Sequence, residues 1–219
     1  MGKEIDLLTN YPKSKRDLSV RKQNKTKQVK LIARKFGKDF FDGERKYGYG
    51  GYKYNSKFWK KVVPTFRKYW NLKKGDTLLD VGCGKGFMIY DFKKKIKGLE
   101  VYGIDISSYA IQNSLDEVKH RVSIANSKNL PFADNSFDYV ISINTIHNLS
   151  KKDCAKSLRE IERVSKKGSF LTVDAYKNKK QKTRMYQWNL TAKTIMSTNQ
   201  WKKFFKENKY SGDYFWFIP

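Results

Sequence analysis

Residues 78–87, Leu-Leu-Asp-Val-Gly-Cys-Gly-Lys-Gly-Phe, run an apolar strand straight into a glycine-rich turn and then into a stretch of helical periodicity. Strand, tight turn and helix start together make the first crevice of a doubly wound α/β sheet, where ligands sit beyond the carboxyl ends of the strands. The glycines fall at Gly82, Gly84 and Gly86, a G-x-G-x-G spacing. The dinucleotide fingerprint G-x-G-x-x-G needs its third glycine at position 87, which is Phe87. Asp80, just before the turn, suits a cationic or hydroxyl-rich ligand better than a pyrophosphate with its own negative charge.

The remaining chain follows the alternation this turn implies. Strands are expected at 77–81, 100–104, 121–125, 139–143 and 169–174, with helices at 87–96, 108–118 and 152–164 between them. That period argues for βαβ units and a mainly parallel sheet. A helix over 57–70 precedes the first strand, with Pro64 expected to kink or split it. After the fifth strand, 177–184 reads as a basic polar stretch, 185–197 and 201–208 as helices, and 214–218 as a terminal strand. The expectation is a Rossmann-like sheet of about six strands, the last of open direction, under an N-terminal helical and loop cap.

At 219 residues the chain has room for one domain with a proper core. Residues 1–56 divide off as a basic arm and a lid, and 57–219 as the ligand-binding domain. The arm carries apolar anchors at Leu7, Leu8 and Tyr11, so it should pack over the domain. The lid, 40–54, interleaves Gly43, Gly48, Gly50 and Gly51 with Tyr47, Tyr49, Tyr52 and Tyr54, a composition that excludes a helix interior.

Forty-seven Lys and Arg face 21 Asp and Glu, a net charge of +26. A positive field favours anionic partners, although only nine of the 47 are Arg, the residue suited to bidentate phosphate and base recognition. The Lys-to-Arg split favours a lysine-decorated solvated surface over a nucleic-acid footprint, while the sign of the charge favours an anionic over a cationic substrate. No apolar run approaches the 18 residues of a membrane span, and the basic start has no apolar core of a secretory signal. Two cysteines, Cys83 and Cys154, show no pairing pattern and suit a reducing cytoplasm.

The acidic residue before G-x-G-x-G resembles the first motif of the class I S-adenosylmethionine (SAM) dependent methyltransferases, in the broad group of ubiquinone-biosynthesis-like enzymes. Further matches follow in order. Asp105 ends the second strand 19 residues after Gly86, the place of the ribose hydroxyl acceptor, and Ile106 beside it would offer an apolar face to adenine. Residues 126–132, Asn-Ser-Lys-Asn-Leu-Pro-Phe, resemble the family's D-A-x-x-L-P-F stretch, with Asn126 where Asp is usual; an amide carbonyl can still accept from the adenine amino group. Residues 134–140, Asp-Asn-Ser-Phe-Asp-Tyr-Val, match its D-x-S-F-D-x-V entry to strand four.

The resemblance implies SAM as cofactor, held by Asp80, Gly82, Cys83, Gly84, Gly86, Asp105, Ile106, Asn126, Ser127 and Asn144, with no metal. It places the acceptor beyond strands four and five. There His147 has the pKa range of a base for a hydroxyl nucleophile, or packs beside the cofactor. Asp174 shares that rim, and Tyr49 represents the lid. Lys13, Lys15 and Arg16 of the arm could approach an anionic acceptor. Three functions stay open: methyl transfer to a small or medium anionic acceptor such as a sugar or nucleotide-linked metabolite, methylation of RNA, and a SAM-binding protein of another activity.

Overall fold

The computed structural model describes residues 2–13 and 18–219, so Lys15 and Arg16 lie outside the described residues. The core is a sheet of seven parallel strands: β1 (Thr77–Val81), β2 (Glu100–Asp105), β3 (Val122–Ile124), β4 (Phe137–Ile143), β5 (Ser165–Tyr176), β6 (Met196–Ser197) and β7 (Asp213–Phe217). Their order is β3-β2-β1-β4-β5, and the outer edge of β5 is shared by β7, along Phe170–Asp174, and by β6, at Ala175–Tyr176. The chain winds outward from β1 to β3, then crosses to β4 on the other side of β1. The switch between β1 and β4 opens the ligand crevice at their carboxyl ends.

Alternation along β1 explains why the sheet is buried on both faces. Leu79 and Val81 join a core against the helix between β4 and β5, α8 (Lys151–Val164). Leu78 joins a second core, beneath α5 (Val63–Trp70) and α6 (Phe87–Lys95). A strand covered on both faces is largely apolar on both sides, which is why Leu78, Leu79 and Val81 read as a run broken only by Asp80 near its carboxyl end.

The helices before β1 are α1 (Leu18–Gln23), α2 (Lys27–Ala33), α3 (Lys38–Phe41) and α4 (Ser56–Trp59). Pro64 sits in the first turn of α5, where its missing N–H costs nothing, and the expected helix over 57–70 is accordingly split into α4 and α5. The helix expected over 108–118 is shorter. It is α7 (Ser108–Gln112) followed by a 3-10 turn over Asp116–Arg121. Asn113 donates its side-chain amide to the Tyr109 carbonyl and Ser114 its hydroxyl to that of Ile111, competing with continuation of the helix.

The largest differences from the sequence reading come after β5. Residues read as a polar stretch begin α9 (Lys179–Trp188), because Asn178 caps it by accepting from the Gln181 N–H at 3.0 Å. Helix α10 (Thr198–Glu207) opens with a capping box between Ser197 and Gln200. A crossover helix returns the chain to the starting edge of the sheet, so β7 runs parallel, and the short β6 brings the strands to seven rather than six.

The N-terminal residues pack on the domain. The Ile5 N–H donates to the Tyr214 carbonyl and the Tyr214 N–H to the Lys3 carbonyl, both at 3.0 Å, and Leu7 enters the core beside Val62 and Phe66. The cap is docked by cations on backbone carbonyls near the end of α9, an arrangement the helix dipole favours. Arg21 donates to the Trp188 carbonyl, Lys25 to that of Tyr186, and Arg34 to those of Thr191 at 3.2 Å and Ala192 at 3.1 Å. No helix among the described residues is long and apolar enough to cross a membrane.

Candidate cofactor crevice and acceptor rim

The turn after β1 is built by backbone that only glycine adopts without strain. Gly82 has φ +90°, and a Cβ there would overlap the Thr145 side chain that follows β4. The N–H groups of Gly82 and Cys83 both donate to the Ile104 carbonyl, at 2.7 and 3.0 Å, while the Gly84 N–H donates to Asp105 Oδ2 at 2.8 Å. Asp105 Oδ1 accepts from the Ser107 N–H at 2.9 Å. The carboxylate at the end of β2 is thus fixed by the turn, and each oxygen keeps a lone pair for a hydroxyl.

Asp80 differs. Its carboxylate is only 4% exposed, and no donor among the described residues hydrogen-bonds to it. Burial, with the neighbouring Asp105 charge, pushes its pKa up to about 7. A buried carboxylate with no internal partner is costly unless a cation or donor reaches it. Protonation relieves that cost in the free protein, and a cation bound in the crevice would relieve it in a complex.

The other sequence-predicted residues divide. Ile106 is 56% exposed at the crevice mouth, as an apolar face for a ring requires. Asn126 and Ser127 lie in the loop after β3, where Asn126 Oδ1 accepts from the Lys128 N–H at 3.1 Å and retains one lone pair. Asn144 has φ +52° and turns its side chain to β5, accepting from the Thr172 hydroxyl at 2.9 Å. Cys83 packs its sulfur against Gly103 of β2, where a Cβ would come within 2.8 Å of it. Burial first, then the Asp80 and Asp105 charges, push this thiol well up, so it stays protonated.

At the rim, His147 and Asp174 come together. Both are buried. The Asp174 N–H donates to His147 Nδ1 at 3.1 Å, which leaves the proton of the neutral ring on Nε2, 3.7 Å from Asp174 Oδ1. Burial lowers the His147 pKa against the pull of the Asp174 charge. The only lone pair of the neutral ring is therefore occupied, and the sequence reading of His147 as a free base does not fit this geometry. Asp174 Oδ2 accepts from the Asn189 amide, and the Trp201 indole N–H donates to the Asp174 carbonyl at 3.0 Å. Burial raises the Asp174 pKa, opposed by His147 and Asn189. The Lys193 and Thr194 N–H groups donate to the His147 carbonyl, at 3.1 and 3.0 Å, so segment 189–194 covers the pair.

The tyrosine lid lies on the glycine turn through Tyr52. Its ring stacks on Phe87 at 4.7 Å and comes within 3.4 Å of where a Gly84 Cβ would stand. Tyr49 is one layer further out, 4.2 Å from the Tyr52 ring and 44% exposed. Tyr47 instead packs with Val29, Ala33 and Leu190 in the cap. Of the lid tyrosines the sequence singles out, Tyr52 is the one on the turn and Tyr49 stands behind it, while Asn189, in a segment without any motif, carries no sequence signal.

A methyltransferase-domain family profile matches residues 72–209, which takes in the turn, both carboxylates of the crevice and the whole rim. The chain belongs to the methyltransferase family. Its parallel sheet with the β1–β4 switch is the Rossmann-like fold of that family. The chain is 36% identical over 109 residues to the ubiquinone/menaquinone biosynthesis C-methyltransferase UbiE of Neisseria meningitidis, a match covering 47% of this chain and 44% of that one. It is 30% identical over 148 residues to the 2-phytyl-1,4-naphtoquinone methyltransferase of Trichormus variabilis, 61% of each chain. The methyltransferase thus matches about half the length of these relatives. Among solved structures, phosphoethanolamine N-methyltransferase 2 of Haemonchus contortus, in complex with phosphomonomethylethanolamine and S-adenosylhomocysteine, shares the fold with a TM-score of 0.58, 21% identity and coverage of 80% of this chain and 44% of that one.

The residues of this methyltransferase fit the cofactor. SAM carries a zwitterionic amino-acid end with an α-ammonium, a ribose diol and a sulfonium whose methyl is attacked by a nucleophile. Asp80 would offer its unpartnered carboxylate to the ammonium, Asp105 would accept from the diol, Ile106 would present an apolar face to the base, and the glycine turn would allow the close approach.

Proposed function

We propose that this methyltransferase acts on a small to medium, ring-bearing acceptor whose hydroxyl ionises, and that Asp174 takes the proton while His147 and Asn189 position its carboxylate. The observation that carries this reading is the buried Asp174–His147 pair at the ends of β4 and β5, one strand from the crevice. Methyl transfer needs the nucleophile deprotonated and aligned in a dry site. Asp174 Oδ1 is the proton acceptor the rim contains. Its raised pKa brings it closer to that of an acidic hydroxyl, which eases the transfer.

The lid supports a flat acceptor. Phe41, Tyr49, Tyr52 and Phe87 form a contiguous aromatic wall, with ring centroids 4.2 to 5.9 Å apart, over the turn. The net charge of +26 supports an acceptor that reaches the site as an anion, a phenolate or enolate included. The two relatives carry quinone chemistry in their names, which agrees with a ring-bearing acceptor.

The test is transfer of labelled methyl from SAM to a panel of hydroquinones, simple phenols, sugar phosphates, nucleotides and RNA. Incorporation into phenolic compounds, abolished in Asp174→Asn with binding of S-adenosylhomocysteine intact, is the expected result. Incorporation into RNA or sugar phosphates alone would overturn the acceptor assignment.

A further inference from the structure

The lid meets the cofactor turn at a carboxylate outside every motif, Asp42. Its Oδ2 accepts from Lys85 Nζ at 2.6 Å and from the Tyr109 hydroxyl at 2.6 Å, and its Oδ1 from the Tyr52 N–H at 2.9 Å. Three elements converge on one side chain: Lys85 stands between Gly84 and Gly86 in the turn, Tyr109 is on α7 just after Asp105, and Tyr52 is the lid ring lying over Gly84. Lys85 is itself buried, 7% exposed, and Asp42 is its ion-pair partner among the described residues. A buried ammonium needs such a partner, so the turn and the lid depend on each other at this point.

We propose that Asp42 is a positioning residue that locks the tyrosine lid in register with the glycine turn, so that cofactor affinity and lid order are coupled through the Asp42–Lys85 ion pair. The backbone bond from Tyr52 sets where the lid ring sits. Lys85 and Tyr109 set where Asp42 sits, and both flank the backbone that fixes Asp105. A ligand that rigidifies the turn thereby rigidifies the lid, and a lid that cannot seat leaves the turn with an unpaired buried charge. The inference rests on the cofactor and not on the acceptor reading, so failure of the acceptor assignment leaves it standing.

Four variants test it, Asp42→Asn, Asp42→Glu, Lys85→Met and Tyr109→Phe. Asp42→Asn keeps the volume and the acceptor for the Tyr52 N–H but removes the charge facing Lys85. Lys85→Met removes the other half of the ion pair, and Tyr109→Phe removes one hydroxyl. Binding of S-adenosylhomocysteine is measured by calorimetry, and lid order by the rate of proteolysis within 43–54 with and without that ligand. Wild type should show ligand protection of the lid. Asp42→Asn should lose about tenfold in affinity, as removal of a charged hydrogen bond does, together with the protection. Asp42→Glu should restore part of both, and Tyr109→Phe should show a smaller loss of both. A merely structural role would lower thermal stability without uncoupling protection from binding. Unchanged affinity and full ligand protection in Asp42→Asn would overturn the proposal. Should that variant not fold, the same result in Tyr109→Phe and Lys85→Met would overturn it equally.

Discussion

Two buried aspartates end strands of the same sheet, and their surroundings are opposite. Asp80, at the end of β1, has no hydrogen-bond donor among the described residues and a pKa pushed up to about 7 by burial and by Asp105. Asp174, at the end of β5, is as deeply buried, yet Asn189 and His147 surround its carboxylate with protein groups. Burial alone would make both carboxylates neutral, so what differs is who supplies the compensation. At Asp174 the protein supplies it, which suits a group that must keep one orientation and handle a proton. At Asp80 the described residues supply no donor, so a proton supplies it in the free protein and a bound cation would supply it in a complex.

The strongest way to separate the two is Asp174→Asn. Loss of the proton acceptor should lower kcat by about 10²- to 10⁴-fold, the range of general-base contributions, with affinity for S-adenosylhomocysteine unchanged in calorimetry. A parallel fall in affinity would show that the two carboxylates serve one site and not two roles. Asp105→Ala should do the converse. It removes the acceptor of the Gly84 N–H, the group assigned to the ribose diol, and should weaken S-adenosylhomocysteine binding by about tenfold or more, with kcat at saturating cofactor little changed. Equal affinity in that variant would remove the ribose assignment. A smaller effect is expected from Arg34→Met. It deletes two hydrogen bonds to the carbonyls of Thr191 and Ala192, which hold the cover over His147 and Asp174. Stability measured by denaturant should fall by about 1–2 kcal/mol, and acceptor KM should rise while cofactor affinity stays the same.

The same contrast decides what the sequence made legible. Everything at the Asp80 end is contiguous or at fixed spacing: the strand, the three glycines and Asp105 are set by local backbone geometry, so pattern and chemistry coincide. The Asp174 end is assembled from separated segments. Whether His147 is a base depends on the Asp174 N–H, 27 residues away, which takes the Nδ1 lone pair. Asn189 acquires its role only because Asn178 starts α9 early enough to end it beside Asp174, and the apolar spacing of 185–197 points to a helix that is not there. The parallel direction of β7 follows from the α10 crossover, which local propensity does not encode. In the lid, glycines interleaved with tyrosines read as a loop, but that Tyr52 is the ring over the turn depends on tertiary contacts such as its N–H bond to Asp42, a residue with no signature of its own.

The claim that Asp80 is held in reserve for a cationic ligand is tested most directly by calorimetric titration of S-adenosylhomocysteine between pH 5.5 and 8, in wild type and Asp80→Asn. Folding raises this carboxylate far above its ordinary 3.8, so the free protein carries it increasingly protonated as pH falls below about 7, and pairing with the ligand ammonium requires the proton to leave. The account predicts wild-type affinity that is level above pH 7, weakens toward about tenfold per pH unit well below it, and is accompanied by proton release, with Asp80→Asn weak and pH-independent across the range. Affinity independent of pH in wild type, and equal in Asp80→Asn, would contradict it.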